Sequence, residues 1–369
     1  MKSRSLLIIY FTIFLSLCSY FSFSYWICSL FEHFRHAYLA VGVIFLCVSL
    51  LKKKYILSSI CIICICLNAS VILVFFDPVI PTSGFENFQY SIAFHNLHNG
   101  NNSKFYSKKL KEMIDSETIA FFEINNEMSK VLGHTIGKMN PVFLHPSEDN
   151  YGWGIFSSLQ MSETKSYKLE DTFFVKSFYV EKWNVTIFFV HLPPPIFPEL
   201  WKIQTDALLF ITKQIIQTKG PILIAGDFNL TPWSYLYRKF KKELLKRGIT
   251  SEPSLYLPSW PSILPLLPID HVFSNFSIYV KKMSSLGSDH YLHVIHFWVQ
   301  KKIILIFFCN HHQMIYQRIS PIYLDRRLHK RSFIHYQKIE TKIWCYLKYI
   351  FTWWNHDWIF WNRTPSPVL

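Results

Sequence analysis

Charge is the scarcest ingredient of this 369-residue sequence, with 17% of residues Asp, Glu, Lys or Arg against about 25% in an ordinary soluble domain. Half of the residues are hydrophobic and 18% are aromatic. That composition excludes a largely disordered chain and argues against a wholly soluble one. Cysteine is missing from residues 77–300, so this stretch holds no disulfide and no thiolate metal site. Acidic residues are nearly missing from both ends. Lys+Arg against Asp+Glu count 6 and 1 in residues 1–76, 21 and 20 in 77–300, and 11 and 3 in 301–369, giving the net charge of +14. The near-neutral middle speaks against tight nonspecific DNA binding, which needs clustered cations. No internal repeat is present.

What is there begins with grease. Residues 5–31 carry no charge, 37–51 are shorter and also uncharged, and 55–76 form a third apolar run. A bilayer core needs about 20 apolar residues as a helix, which the first and third supply. The second spans when residues 34–36 join it or the bilayer thins. The first run is too long for a signal-peptide core, and no small-x-small cleavage site follows it. Residues 1–76 therefore read as a membrane anchor of three transmembrane helices. Lys2 and Arg4 precede the first span, and Lys52, Lys53 and Lys54 separate the second from the third. With three spans both clusters face the cytoplasm, and everything after Phe76 lies outside it, at a bacterial inner membrane. Cys61-Ile-Ile-Cys64 has redox-motif spacing, but within an apolar run it reads as two lipid-facing thiols.

A breaker-rich joint, Asp77-Pro78 and Pro81 to Gly84, leads into a second pattern. Strand character marks 88–96, 118–122, 173–180, 185–191, 221–225, 269–274, 277–282 and 293–299. A helix capped by Ser103 is expected through 114, a second over 198–217, and a third opening at Thr231-Pro232. Residues 77–300 thus read as one α/β domain.

Polar residues recur where these apolar strands stop. The run 222–229, Ile-Leu-Ile-Ala-Gly-Asp-Phe-Asn, delivers Asp227 and Asn229 two apart from a buried strand, with Gly226 allowing a ligand close to the backbone. Asn96, Glu123, His191, Asp270, Asp289 and His290 end other segments. A lone His or Glu at a strand end is usually a solvated terminus. Five such ends in one domain supply what a Mg2+-dependent phosphodiester hydrolase requires: hard oxygen ligands, donors for phosphate, and an Asp–His pair able to activate water.

This ordered set, above all Gly226-Asp-Phe-Asn229 and Gly287-Ser-Asp-His290, resembles the endonuclease/exonuclease/phosphatase (deoxyribonuclease I-like) superfamily over residues 90–297. The layout with N-terminal spans is similar to that of its membrane-anchored bacterial members. The resemblance implies a four-layer α-β-β-α sandwich preceded by transmembrane helices. It implies a metal set of Glu123, Asp289 and Asn96, holding Mg2+ or Mn2+. It implies substrate binding by Asn96 and Asn229 and catalysis by His191, Asp227, Asp270 and His290. His191 would stabilise the phosphorane, and Asp270 would orient His290; whether Asp227 or His290 is the base stays open. Departures from the family pattern are Phe122 before the Glu, His95 before the Asn and Val190 before the His.

The expected activity is divalent-metal-dependent hydrolysis of a phosphodiester in a nucleic acid, nucleotide or phospholipid, at the membrane lipid bilayer and with no protein partner inferred. The rivals are a non-catalytic membrane binding protein that keeps the fold and an intracellular DNA-repair endonuclease. His271 reads as structural first and as a phosphate contact second, and Trp260-Pro261 as core packing first and as a flank of a substrate cleft second. Residues 301–369 form a basic, aromatic and glycine-free stretch. It reads either as a membrane-surface segment or as translation past a disrupted normal end, and its abrupt change of composition favours the second.

Overall fold

The computed structural model describes residues 3–73, 88–98, 110, 116–137, 139–251 and 258–299. All of them belong to one compact unit, Met1–Lys301. The helix expected over 103–114 (Leu110 apart) and the stretch 301–369 lie outside the described residues.

The N-terminal region is helical: α1 Ser3–Cys18, α2 Trp26–Glu32, α3 Arg35–Leu51 and α4 Tyr55–Ile72. The apolar run 5–31 is not one straight helix. It breaks after Cys18 into a short 3-10 turn, Ser19–Phe21, and Tyr25 is extended before α2 begins. Serines 19, 22 and 24 crowd this break, and their hydroxyls compete with the helical ladder; Ser19 Oγ bonds back to the Leu15 carbonyl. By length and composition, α4 alone is a full span, α2 and α3 make a pair bent by 56°, and α1 is shorter than a span. Helices α1 and α4 run side by side, with Ile9 against Leu57 and Cys61 and with Asn68 donating to Ser16 Oγ. Cys61 and Cys64 are buried between these helices rather than facing outward.

The rest of the described chain builds twelve strands: β1 Tyr90–Asn96, β2 Thr118–Phe122, β3 Asn140–His145, β4 Trp153–Ser157, β5 Met161–Leu169, β6 Thr172–Val180, β7 Val185–His191, β8 Ile222–Asp227, β9 Thr250–Ser251, β10 Asp270–Ser274, β11 Ile278–Lys282 and β12 His293–Phe297. They form two six-stranded mixed sheets, ordered β11-β12-β1-β2-β4-β3 and β5-β6-β7-β8-β10-β9. The sheets pack face to face. Ile92, Phe94, Ala120, Phe122 and Trp153 from one meet Ile187, Phe189, Leu223, Ala225 and Val272 from the other. Helix α5, Asn126–Thr135, covers the outer face of the first sheet through Met128 and Leu132. Helices α6, Pro198–Gln217, and α7, Tyr235–Leu245, cover the second through Ala207, Ile211, Leu236 and Phe240. The architecture is therefore a four-layer α-β-β-α sandwich.

Helix α7 starts later than Thr231-Pro232 suggests. Ser234 is its cap, accepting from the Tyr237 N–H, while the Thr231 hydroxyl is engaged with His33 Nδ1. Helix α5 and strands β3 to β5 carry no strong alternation and do not stand out in the sequence; β5 and most of β3 are exposed or half-buried.

Candidate active site

Successive residues of a strand face opposite sides of its sheet, and that rule assembles the site. In β1 the inward positions are Ile92, Phe94 and Asn96; in β7 they are Ile187, Phe189 and His191; in β8, Leu223, Ala225 and Asp227; in β10, Asp270 and Val272. Each inward row is apolar until the end at which the two sheets open. There the last inward positions are polar. Registry brings them abreast, for His191 and Asp270 are each the cross-strand partner of Asp227. His271, one residue off that row, faces the other side. It packs on Tyr237 and Phe228, and its Nε2 donates to the Leu230 carbonyl at 2.6 Å. It is structural, as its position in the alternation requires.

Gly226 allows close approach, but the approaching group is protein. Its φ of +149° is a glycine conformation, and an added Cβ would collide with the Val190 carbonyl of β7.

Asn96 ties two carboxylates together. Its Nδ2 donates to Glu123 Oε1 at 2.8 Å and to Asp227 Oδ2 at 3.1 Å, while its Oδ1 accepts the His98 N–H. Asn96 thus donates to both carboxylates, and its oxygen takes one backbone hydrogen. Asp227 also accepts from the Asn229 N–H at 2.9 Å, and Asn229 Nδ2 donates to the Leu192 carbonyl at 2.7 Å. His290 Nδ1 lies 3.1 Å from Asp270 Oδ2, and its Nε2 lies 3.6 Å from Asp227 Oδ2. Imidazole and both carboxylates are buried. Burial alone would lower the His290 pKa, but Asp270 and Asp227 overcome it and raise it to about 10. Asp227 is pushed up to about 6 by burial, against the opposing pull of His290. Asp270 is held well below the ordinary carboxylate range because His290 and His293 outweigh its burial. The trio is thus an imidazolium between a firmly ionised carboxylate and one poised to exchange a proton.

His191 is also buried. Its Nε2 faces Glu123 Oε1 at 3.6 Å, and its ring stacks on Phe122 at 5.2 Å. Phe122 therefore serves as the platform for that imidazole. Burial raises the Glu123 pKa, but His191 and Asn96 outweigh it and bring it below the usual value.

Glu123 and Asp289 keep 13% and 33% of their side chains open, and His98 Nδ1 stands 4.0 Å from the first and 3.8 Å from the second. Partly open carboxylates of this kind are the hard oxygen donors that a divalent cation takes. The buried trio Asp227, Asp270 and His290 also clusters ligand-type atoms within 4.8 Å. Both nitrogens of that imidazole already face carboxylates, so a cation there would have to displace its proton. Among the described residues, seven that are not glycine have positive φ, and three of them, His98, Glu123 and Asn229, line this site. Such strained backbone collects where function demands it.

Four participants lie outside the eight candidate residues. His98 lies two residues after Asn96 in an irregular loop. Trp260 is no core residue: its indole N–H donates to Asp289 Oδ2 at 2.7 Å. Ser288 Oγ donates to the Asn96 carbonyl at 2.7 Å and accepts the His290 N–H. His293 stacks on Phe94 with Nε2 3.7 Å from Asp270. Two of them had a signal in the sequence: the serine inside the Gly287-Ser-Asp-His290 motif, and Trp260 shortly before Asp270. His95 donates from Nε2 to the His290 carbonyl at 3.2 Å, and burial holds its pKa down to about 3.

A model described as the Endonuclease/Exonuclease/phosphatase family matches residues 93–290, more than half of the chain. No curated protein matches the sequence. Solved structures similar to this chain include an AP endonuclease from Archaeoglobus fulgidus, 17% identical over 57% of this chain and 100% of that one, with a TM-score of 0.45. Another is D. rerio TDP2 humanized by 14 mutations, 14% identical over 57% of this chain and 99% of that one, with a TM-score of 0.44. A third is the mannosyl-6-phosphatase Bt3783 from Bacteroides thetaiotaomicron VPI-5482, 14% identical over 56% of this chain and 98% of that one, with a TM-score of 0.41.

Proposed function

The chain belongs to the endonuclease/exonuclease/phosphatase family of hydrolases acting on phosphoester bonds, and from that premise we propose that it cleaves a phosphodiester with water at the site described above. The observation that carries the reading is the buried row Asp270, His290, Asp227, with Asn96 joining Asp227 to Glu123. Asp270 holds His290 by Nδ1, so the imidazolium offers Nε2 to a phosphate oxygen. Asp227 has a pKa raised to about 6, so it is ionised at neutral pH and still basic enough to take a proton from water. Asn229 and Asn96 donate to it and fix its orientation. Of the two candidate bases, Asp227 therefore suits the role, and His290 suits the stabilisation of negative charge. Water attacks phosphorus, its proton passes to Asp227, and one P–O ester bond breaks. Asn96 and Asn229 are the proposed phosphate neighbours, and His191 beside Glu123 steadies the carboxylate.

Glu123 and Asp289 would hold a divalent cation, Mg2+ or Mn2+, which when bound supplies charge neutralisation at the phosphate. Residues 1–76 are proposed as an anchor in the cell membrane, with 77–300 as the catalytic domain outside the cytoplasm. Support comes from the arrangement of the helices. Lys52, Lys53 and Lys54 join α3 to α4 at one end of the bundle, while His33 contacts Thr231 of the catalytic part at the other. Basic residues favour the cytoplasmic end.

The test is release of p-nitrophenol from bis(p-nitrophenyl) phosphate by the full chain in lipid nanodiscs, with Mg2+, Mn2+ or a chelator. Turnover that needs the ion is expected, with a drop of about 10²-fold or more in Asp227→Asn. A folded protein whose rate ignores both the chelator and this substitution would sink the proposal.

A further inference from the structure

Eleven large apolar side chains are exposed among the described residues from 88 to 299, and five of them sit on two loops. Ile196 and Phe197 follow β7 a few residues beyond His191. Ile263, Leu264 and Leu266 lie on the approach to β10 and Asp270, and Ile263 is 97% exposed. This second loop is stitched to the site. Trp260 donates to the Asp289 carboxylate, the Ser262 N–H donates to the Asp289 carbonyl at 2.7 Å, and Ser262 Oγ donates to the Ser288 carbonyl at 2.6 Å. Prolines 261, 265 and 268 stiffen it. Both loops leave the end of the sandwich at which the catalytic row emerges.

The N-terminal helices meet that same end. The loop leaving β8 after Asp227 is held from the anchor side. His33 Nδ1 contacts Thr231 Oγ1 at 3.0 Å and accepts the Thr231 N–H, and Glu32 accepts the Tyr235 N–H at the start of α7. Helix α2 also packs against α6. The turn between α1 and α2 exposes Phe21, Phe23 and Tyr25 beside this contact, and the Phe23 ring lies 6.1 Å from Tyr235. Tyrosine favours the depth of lipid headgroups, and exposed phenylalanine beside it gains from burial in the apolar layer beneath.

We propose that the site-bearing end of the sandwich rests on the bilayer, with residues 263–266 and 196–197 dipping into it, and that the substrate is a phosphodiester borne by a lipid headgroup. This rests on the phosphodiesterase reading and on residues 1–76 as the anchor. A substrate free in water requires no apolar rim. A headgroup in the leaflet is met by one, because the rim seats the site at headgroup level beside helices that end there.

The full chain, reconstituted in vesicles of phosphatidylethanolamine and phosphatidylglycerol with the catalytic part outward, is labelled with hydroxyl radicals. Ile216, at the opposite end of the 20-residue α6 and 61% exposed, is the internal reference. Ile263 and Leu264 are expected to label severalfold more slowly than Ile216; equal rates overturn the membrane contact. The Ile263→Ser/Leu264→Ser double variant is expected to lose most hydrolysis of the vesicle lipids while keeping the wild-type rate on bis(p-nitrophenyl) phosphate. The lipid substrate is overturned if that variant keeps its rate on vesicles. It is also overturned if dihexanoyl forms of the same lipids in water are cleaved as fast, or if neither lipid is cleaved while bis(p-nitrophenyl) phosphate is. Absence of all turnover strikes the phosphodiesterase reading instead, and the labelling rates still judge the membrane contact.

Discussion

At the residue scale, the histidines of this protein divide by what surrounds them. His290 has carboxylates on both nitrogens and keeps its proton. His271, on the outer face of β10, meets aromatic rings and one carbonyl, and burial lowers its pKa to about 4. The two assignments follow from the alternation of a single strand, since Asp270 faces inward and His271 outward. The sign of the pH effect is fixed by that environment. Below about 6.5 an unfolded histidine takes up a proton that folded His271 refuses. Its contribution to stability is therefore whole above that pH and is lost as pH falls toward about 4, at about 1.4 kcal/mol per unit. His95 acts in the same direction. Thermal unfolding of the full chain from pH 7 to pH 5 is expected to show a loss of stability that is shallower in His271→Gln. An unchanged slope in the variant would mean that the imidazole is not held neutral.

At the element scale, the site depends on how closely β7 and β8 run. The Val190 carbonyl occupies the space where a side chain at position 226 would stand, so the parallel pairing that sets His191 against Asp227 needs glycine there. Gly226→Ala is expected to cost several kcal/mol, because it adds both a backbone collision and an unfavourable positive φ. Turnover per folded molecule should fall with it, as the His191 and Asp227 rows part. The check is denaturant titration beside the bis(p-nitrophenyl) phosphate assay; wild-type values in both would show that the strands can separate freely. The strongly patterned strands were readable in advance. β2 and β7 fall where alternation and apolar runs put them, and α6 begins at Pro198 as its spacing suggests. Strands β3 and β5 were not readable, because neither has a continuous buried face. Helix α7 starts at Tyr235 and not at Pro232, a good first helical residue in general, because Ser234 caps it while the Thr231 hydroxyl meets His33.

At the scale of the whole molecule, the N-terminal helices and the sheet-bearing part share a small buried contact. Trp233 packs with Val71 and Ile72, and its indole N–H donates to the His33 carbonyl. His33 in turn satisfies Thr231. Removing that imidazole leaves a buried backbone N–H without its acceptor, a loss of about 1–3 kcal/mol. His33→Ala is expected to lower the unfolding temperature of the full chain by several degrees and His33→Asn, which keeps an acceptor, by less. Identical melting of all three proteins would mean that the contact carries no weight.

The sequence by itself determined the constituents. Apolar runs, strand alternation and the positions at which polar residues interrupt them are local properties; they gave an α/β domain, and the motifs among them resembled a family that implied the four layers and named eight candidate residues. What the tertiary structure decided is which groups share a proton, a carbonyl or an open space. Asn96 became a donor that ties Glu123 to Asp227. Trp260 and His98 joined Asp289, and Gly226 made room for Val190 instead of a ligand. Cys61 and Cys64 turned inward among helices. Each outcome depends on the distance between segments far apart in the chain. No periodicity records that distance, because it is set only when two sheets and a helical bundle pack against one another.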